Sequence, residues 1–138
     1  MSSSSRVWTN KRYKLERSEN FDEFLTACGL NFLIRKLILA STPIVELVDC
    51  GDGTFLLKQE SLKSNNMKFT PGVEFIDEKP NGAKVYTTMT FESENVLIHT
   101  QKNPPAMFRR EFKEDEMTLV CTDLTGGVVA KRWFKAVN

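Results

Sequence analysis

The 138-residue sequence has no long apolar run, no excess of one charge and few cysteines. A membrane-spanning helix needs about 18 consecutive apolar residues, and no stretch approaches that length. Lys and Arg total 19 against 18 Asp and Glu, for a net charge of +1, whereas nucleic-acid-binding proteins usually carry a strongly basic surface. Arg6 and Trp8 follow the serine-rich start instead of an apolar signal core, so we expect no secretory leader and no nucleic-acid partner.

Chemistry-bearing residues are also scarce. Cys28, Cys50 and Cys121 are odd in number and widely scattered, which is typical of reduced thiols in a cytoplasmic protein. His99 is the single histidine, and neither it nor the cysteines show metal-ligand spacing. No nucleophile–base pattern surrounds His99, which we interpret as a strand residue. We therefore expect no metal, no cofactor and no enzymatic activity.

The chain order predicts one domain over residues 11–138, preceded by a polar, weakly ordered tail over residues 1–10. Asn20 and Glu23 have the spacing of a capping box, which predicts a helix start. Apolar residues follow on one helical stripe, and Gly29 can end that helix. A second short helix is predicted from Asn31 to about Ala40.

Beyond these helices the sequence indicates an antiparallel β-structure. Short stretches rich in β-branched and aromatic residues alternate with turn signals about every ten residues, a pattern typical of a meander. Ten strands in so short a chain favour closure into an all-β, up-and-down barrel. The predicted strands are Lys11–Glu16, Ile44–Val48, Thr54–Glu60, Met67–Thr70, Val73–Phe75, Val85–Glu92, Val96–Gln101, Met107–Phe112, Met117–Thr122 and Val128–Ala136.

Two arginines fall on strand faces that should be apolar. Side chains alternate between the faces of a strand, so Arg110 shares a face with Phe108 and Phe112, and Arg132 shares one with Phe134. Burying an unpaired guanidinium is costly. Either both groups pair with protein carboxylates or reach a barrel mouth, or they bind an anionic head group whose carboxylate they can grip through two bonds.

The sequence resembles the intracellular lipid-binding protein family, which includes the fatty-acid-binding and cellular retinoid-binding proteins. The segment Tyr13–Glu19 is most similar to invertebrate fatty-acid-binding members. The matching positions run in family order and cover 11–136: Lys11, Tyr13 and Leu15; Asn20-Phe21-Asp22 and Phe24-Leu25; Gly29, Phe32, Arg35, Pro43 and Lys63; Phe69 and Gly72-Val73-Glu74-Phe75; Lys84-Val85 and Gln101; Arg110-Glu111; and Arg132 with Phe134.

The resemblance implies a ten-stranded calycin-like barrel with a helix–turn–helix lid and one lipid inside. Two arginines and a tyrosine commonly hold the ligand carboxylate in this family. Arg110 and Arg132 match the arginine positions, and Phe134 matches the tyrosine position without its hydroxyl. Because retinol carriers tend to replace an arginine by glutamine, both arginines favour an acid over an alcohol.

The resemblance also implies which residues face the ligand. Lid positions are matched by Phe21, Leu25, Leu30, Ile34 and Ile38. The portal loop is matched by Leu62 and Lys63, and cavity-lining positions are matched by Pro43, Val45, Asn81, Leu119 and Cys121. Lys58 and Glu60 depart from the family, which usually has small uncharged residues there. They either pair with each other inside the cavity or are turned outside by a register shift.

These features together predict a monomeric, non-enzymatic, cytoplasmic carrier of a long-chain fatty acid or similar hydrophobic carboxylate. The alternatives are a retinoic-acid carrier or a module that delivers ligand to a nuclear receptor or an enzyme. The lid helices either only close the barrel end or also dock transiently on membranes, since Phe32, Leu33 and Leu37 lie beside Arg35 and Lys36.

Overall fold

The computed structural model describes residues 6–61, 64–78 and 82–137. Two helices follow the first strand, and nine strands complete the chain. The helices are α1 (Phe21–Ala27) and α2 (Phe32–Ala40). The strands are β1 (Arg12–Glu19), β2 (Ile44–Asp49), β3 (Phe55–Glu60), β4 (Asn65–Phe69), β5 (Phe75–Glu78), β6 (Lys84–Ser93), β7 (Val96–Lys102), β8 (Ala106–Phe112), β9 (Glu116–Asp123) and β10 (Val129–Val137).

All ten strands form one antiparallel sheet in the order β4-β3-β2-β1-β10-β9-β8-β7-β6-β5. Consecutive strands pair with one another, except that β4 and β5 form the two edges of the described sheet, and the first strand pairs with the last. The sheet thereby curls into a nearly closed barrel, which confirms the predicted fold. Strand bounds differ by a few residues from the prediction. β1 continues past Glu16 to Glu19 through a register shift between Leu15 and Arg17, and β5 begins only at Phe75.

The capping box predicted at α1 is wrong. Asn20 has a left-handed backbone (φ 61°) and makes no side-chain cap; its Nδ2 instead donates to the Val129 carbonyl, which joins the helix start to β10. Asn31 does cap α2, because its side chain accepts from the Ile34 amide at 2.9 Å. Gly29 has φ +86° and ends the first helix as predicted, since that conformation disfavours residues with a Cβ.

The amino-terminal segment corrects a second expectation. The sequence predicts a weakly ordered tail over residues 1–10, but Trp8 is 1% exposed and belongs to the core. Its indole donates to the Glu94 carbonyl at 2.8 Å, and its ring stacks on Phe91. Arg6 pairs with Asp49 at 2.6 Å. Residues 6–10 therefore belong to the folded domain. The polar sequence around Trp8 hides this, but burial of the large apolar indole holds the segment against the barrel.

The core runs from the lid to the opposite barrel end. Phe24 of α1 contacts Phe108 at one end of β8, and Trp8 contacts Phe112 at the other end. No helix in the described ranges is long and apolar enough to cross a bilayer. α1 buries Phe21 and Leu25 against the barrel, whereas α2 buries none of its residues.

Candidate functional site

Both sequence-predicted arginines lie inside the barrel. Arg110 of β8 is 5% exposed and Arg132 of β10 is 6% exposed. Each lies opposite Leu119 on β9, the strand between them. Since neighbouring strands are about 4.8 Å apart, the two backbones are separated by roughly 10 Å. The pleat therefore places both guanidinium groups on one level of the interior.

Arg132 is held near the lid. Its Nε donates to Ser18 Oγ at 2.8 Å, and its guanidinium carbon lies 3.8 Å from the centre of the Phe21 ring. That geometry is a cation–π contact. Phe21 in turn stacks on Phe24 at a centroid distance of 6.1 Å. One side of the guanidinium is thus covered by the helix that closes the barrel.

Arg110 is held by the single histidine. Its Nη1 lies 3.4 Å from His99 Nδ1, and the imidazole lies 4.8 Å from the Phe108 ring centre. The buried Nε of Arg110 makes no hydrogen bond within the part of the chain that the structure describes. Sequence reasoning missed the contact with His99, although strand alternation gave a signal for it, because His99 is two residues from the buried Leu97.

Burial dominates the electrostatics of this interior. It lowers the pKa of Arg110 and of Arg132 to about 10 each. It also raises the pKa of the Cys121 thiol to about 12, although the two arginine charges act in the opposite direction. Both lowered values mean that the surroundings stabilise the charged guanidinium groups less well than water does.

No carboxylate of the described residues forms an ion pair with either arginine. The buried Asp123 accepts instead from the amides of Thr125 and Gly126 in its own turn. Pairing of Arg110 and Arg132 with protein carboxylates, which the first alternative includes, is therefore not seen among the described residues. The arrangement is suited to an anionic group supplied from outside.

The structure buries most of the other predicted ligand contacts. Residues on the inner face or beneath the lid are Phe21, Leu25, Pro43, Val45, Leu119, Cys121 and Phe134. Leu30 and Ile38 are half-buried and pack against this core. Their contact with a ligand stays a prediction. Leu62, Lys63 and Asn81 lie outside the described residues.

One predicted position is corrected, and one pair of alternatives is decided. Ile34 is 40% exposed, because α2 lies on the surface with no buried residue. Lys58 lies opposite Glu46 on the outer face and pairs with it at 3.8 Å, while Glu60 pairs with Arg12. The outward alternative for Lys58 and Glu60 is thus the observed one, since the buried Leu57, which directly precedes Lys58 on β3, takes the inner face.

Other parts of the described structure offer weaker candidate sites. Two clefts of about 210 and 460 Å³ border Arg6 and Trp8, at the barrel end away from the lid, and neither Arg110 nor Arg132 lines them. Among the described residues, no group of three His, Cys, Asp or Glu side chains could hold a metal ion. The buried arginines therefore remain the candidate site.

Residues 11–122 match the model of the lipocalin / cytosolic fatty-acid binding protein family. The chain belongs to this family. It is 38% identical over 130 residues to a fatty acid-binding protein of Tyrophagus putrescentiae, covering 94% of this chain and 98% of that one. It is 35% identical over 115 residues to cellular retinoic acid-binding protein 1 of Takifugu rubripes, covering 78% and 84%.

Among solved structures, the Schistosoma mansoni fatty acid binding protein in complex with arachidonic acid superimposes with a TM-score of 0.88. The two chains are 27% identical, with 99% and 100% covered. The predicted resemblance, including its invertebrate character, is confirmed. Membership of a family of carriers also confirms that the protein is not an enzyme.

Proposed function

We propose that this protein is a monomeric cytoplasmic carrier of a long-chain fatty acid whose carboxylate is bound by Arg110 and Arg132. The observation that carries the proposal is the pair of buried guanidinium groups on one level of the barrel interior without a carboxylate partner among the described residues. A ligand carboxylate compensates both charges at once. The acyl chain then lies along the apolar inner face.

The energetics divide between head group and tail. Each charge-assisted hydrogen bond contributes on the order of 1.5–3 kcal/mol, and each buried methylene contributes about 0.8 kcal/mol. A long acyl chain therefore supplies most of the affinity, whereas the arginines set its direction and select an acid. The Nε of Arg110, which is buried and unbonded among the described residues, offers part of the planar fork that suits a carboxylate.

The relatives support this class of ligand. The names of the Tyrophagus putrescentiae and Schistosoma mansoni proteins state fatty acid binding, and the structure of the second is a complex with arachidonic acid. The Takifugu rubripes relative is named for retinoic acid, so retinoic acid is the second candidate ligand. Both ligands are hydrophobic carboxylates, and the arginine pair serves either one. A ligand-delivery role toward a nuclear receptor or enzyme would add to this carrier function.

The test compares an acid with its methyl ester. Arg110→Gln and Arg132→Gln are each titrated with a fluorescent long-chain fatty acid and its ester. Arg109→Gln is the matched control, because Arg109 neighbours Arg110 but lies on the outer face beside Glu92. We expect each inner variant to lose about 10-fold or more in acid affinity with little change for the ester. Equal losses for acid and ester would contradict head-group contact.

Natural ligands are identified separately. Organic extraction of the purified protein followed by mass spectrometry should yield long-chain acids, and displacement with fatty acids, retinoic acid and the matching alcohols ranks the classes. Recovery of alcohols or esters alone would contradict an acid carrier.

The exposed lid supports a transient contact with membranes as part of carriage. Phe32 and Leu33 of α2 are 63% and 68% exposed, and Lys36 lies 5.2 Å from the Phe32 ring centre. An exposed apolar face next to a cation suits an anionic lipid surface. Leu33→Ser should slow fatty-acid transfer to anionic vesicles, whereas Ile76→Ser on β5, 52% exposed in the wild type, should not. Transfer rates independent of vesicle concentration and charge would exclude docking.

A further inference from the structure

His99 lies inside the barrel and contacts the arginine of the proposed head-group site. The side chain is 4% exposed, and its Nδ1 lies 3.4 Å from Arg110 Nη1. A guanidinium can only donate, so Nδ1 must be the acceptor. The neutral ring therefore carries its proton on Nε2. This contact fixes both the histidine tautomer and one arm of the guanidinium.

We propose that His99 is a positioning residue that orients Arg110 and that its protonation strengthens the binding of anionic head groups. The inference rests on the proposed function, because it describes how that same site binds its ligand. With Nη1 held by the imidazole, the opposite edge of the guanidinium, which includes the buried and unbonded Nε, is the edge left for a ligand. His99 thereby supplies the site with a third polar group, which Phe134 cannot provide because it has no hydroxyl.

Among the described residues, the charged group in contact with His99 is the guanidinium of Arg110. On the paired strands, Met89 of β6 and Phe108 of β8 lie directly opposite it and carry no charge. Charged or titratable inward groups among the described residues are Arg110 on β8, Cys121 on β9, Arg132 on β10, Asp77 on β5 and Cys28 after α1. Because Arg110 is in contact with His99, a proton on His99 places two positive charges side by side.

An anionic ligand relieves that repulsion. When the head group neutralises Arg110, the imidazolium becomes less unfavourable, and the pKa of a histidine beside a bound anion exceeds its value in the ligand-free site. Ligand binding then takes up a proton, so affinity for the anion must rise as the pH falls through that range. Protonation of His99 also removes the long hydrogen bond that its Nδ1 accepts from Arg110 Nη1, and this loss opposes ligand binding. It is smaller than the charge–charge attraction, because such attraction is strong in a buried site.

The experiment uses a long-chain alkyl sulfonate, since its head group stays ionised throughout, and the corresponding alcohol as the neutral control. Both are titrated calorimetrically into delipidated protein at about pH 5.5 and about pH 8, on either side of the ordinary imidazole pKa. Wild type should bind the sulfonate about 3- to 10-fold more tightly at the lower pH. Alcohol affinity should change by less than about twofold.

Two variants separate positioning from folding. His99→Gln keeps an acceptor for Arg110 but does not titrate, so it should bind the sulfonate as wild type does at about pH 8 and show no pH dependence. His99→Leu removes the acceptor and should lose about 5- to 10-fold for the sulfonate but not for the alcohol. If His99→Leu does not fold, as judged by circular dichroism, the Gln variant alone decides the question.

The outcomes distinguish this inference from the proposed function. A His99→Gln variant with the wild-type pH dependence, or wild-type affinity that falls on acidification, would overturn the role of His99 alone, provided that Arg110→Gln still weakens sulfonate binding. Absence of sulfonate and fatty-acid binding in wild type at both pH values would overturn the carrier function together with this inference.

Discussion

The thiol of Cys121 experiences the positive charge of Arg110, yet burial raises the thiol pKa to about 12. A nearby guanidinium ordinarily favours the thiolate and lowers this value. Desolvation therefore outweighs a full positive charge in this part of the barrel. The same desolvation acts on the arginines themselves, whose pKa values it lowers to about 10. The charged arginines are thus electrostatically unfavourable in the ligand-free interior, and an anionic ligand can compensate their charge.

Removal of one of these charges should stabilise the ligand-free protein. In Arg110→Met an apolar chain of similar length replaces a buried guanidinium that has no carboxylate partner among the described residues. We expect the free energy of unfolding at neutral pH to rise by about 1–3 kcal/mol. Denaturant titration of delipidated protein measures it.

Arg109→Met is the control for this variant, because Arg109 pairs with Glu92 on the outer face; its effect should stay within about 0.5 kcal/mol. Saturating fatty acid should raise the stability of wild type and of Arg109→Met, since a ligand that binds only the native state stabilises it. It should raise that of Arg110→Met far less. A net loss of stability in ligand-free Arg110→Met would show that the guanidinium is compensated within the protein.

Restoration of the hydroxyl at position 134 tests the head-group geometry. Phe134 is 2% exposed and lies two residues from Arg132 on the same face of β10. Phe134→Tyr should raise affinity for a fatty acid about 3- to 10-fold, since one additional hydrogen bond contributes about 0.5–1.5 kcal/mol. Affinity for the methyl ester should hardly change. Competitive displacement of a fluorescent acid measures both, and equal weakening of both ligands would place the hydroxyl away from the head group.

Strand alternation is the part of the sequence that predicted the site best. The period of two is fixed by the pleat, so the inward positions of Arg110 and Arg132 followed from their neighbours once the strands were located. The fold class followed from turn spacing and from the family motifs. By contrast, the predicted bounds of β5 missed most of the observed strand, because local propensity does not determine where pairing begins.

The failures share a physical cause, which is contact between residues far apart in the chain. Asn20 donates to Val129, and Trp8 donates to Glu94. Neither partner can be inferred from a local pattern, so the predicted capping box and the tail assignment of residues 6–10 are both wrong. The family pattern leaves open whether Lys58 faces inward or outward, and pairing with Glu46 on the neighbouring strand holds it outside. His99 was located on a strand, yet its contact with Arg110 depends on the register between β7 and β8.

The buried indole of Trp8 should make the amino-terminal segment contribute strongly to the free energy of unfolding. Trp8 packs against Phe55, Phe91 and Phe112. Trp8→Ala should lower the free energy of unfolding by about 3–5 kcal/mol. Thr9→Ala, at the adjacent exposed position, is the control and should change it by less than about 0.5 kcal/mol. Denaturant curves followed by circular dichroism decide this, and a small effect at Trp8 would restore the view of residues 6–10 as a tail.

Alkaline pH should remove a stabilising contribution that belongs to Tyr13. Its ring is fully buried, and its hydroxyl donates to the Lys113 carbonyl at 3.0 Å. Burial, reinforced by Glu114 and Asp115, raises the pKa of Tyr13 from 10.0 to about 12. The folded state therefore holds this proton more tightly than the unfolded chain does.

The stability that Tyr13 contributes is present in full below about pH 10 and declines as the pH rises toward about 12. Tyr13→Phe should cost about 1 kcal/mol near pH 8, through the lost hydrogen bond, and the stabilities of variant and wild type should converge above about pH 10. The lowered pKa values of Arg110 and Arg132 act in the same range, but they are common to both proteins and cancel in the difference. Denaturant midpoints at several pH values measure that difference, and a gap that stayed constant through this range would mean that Tyr13 ionises alike in the folded and unfolded chains.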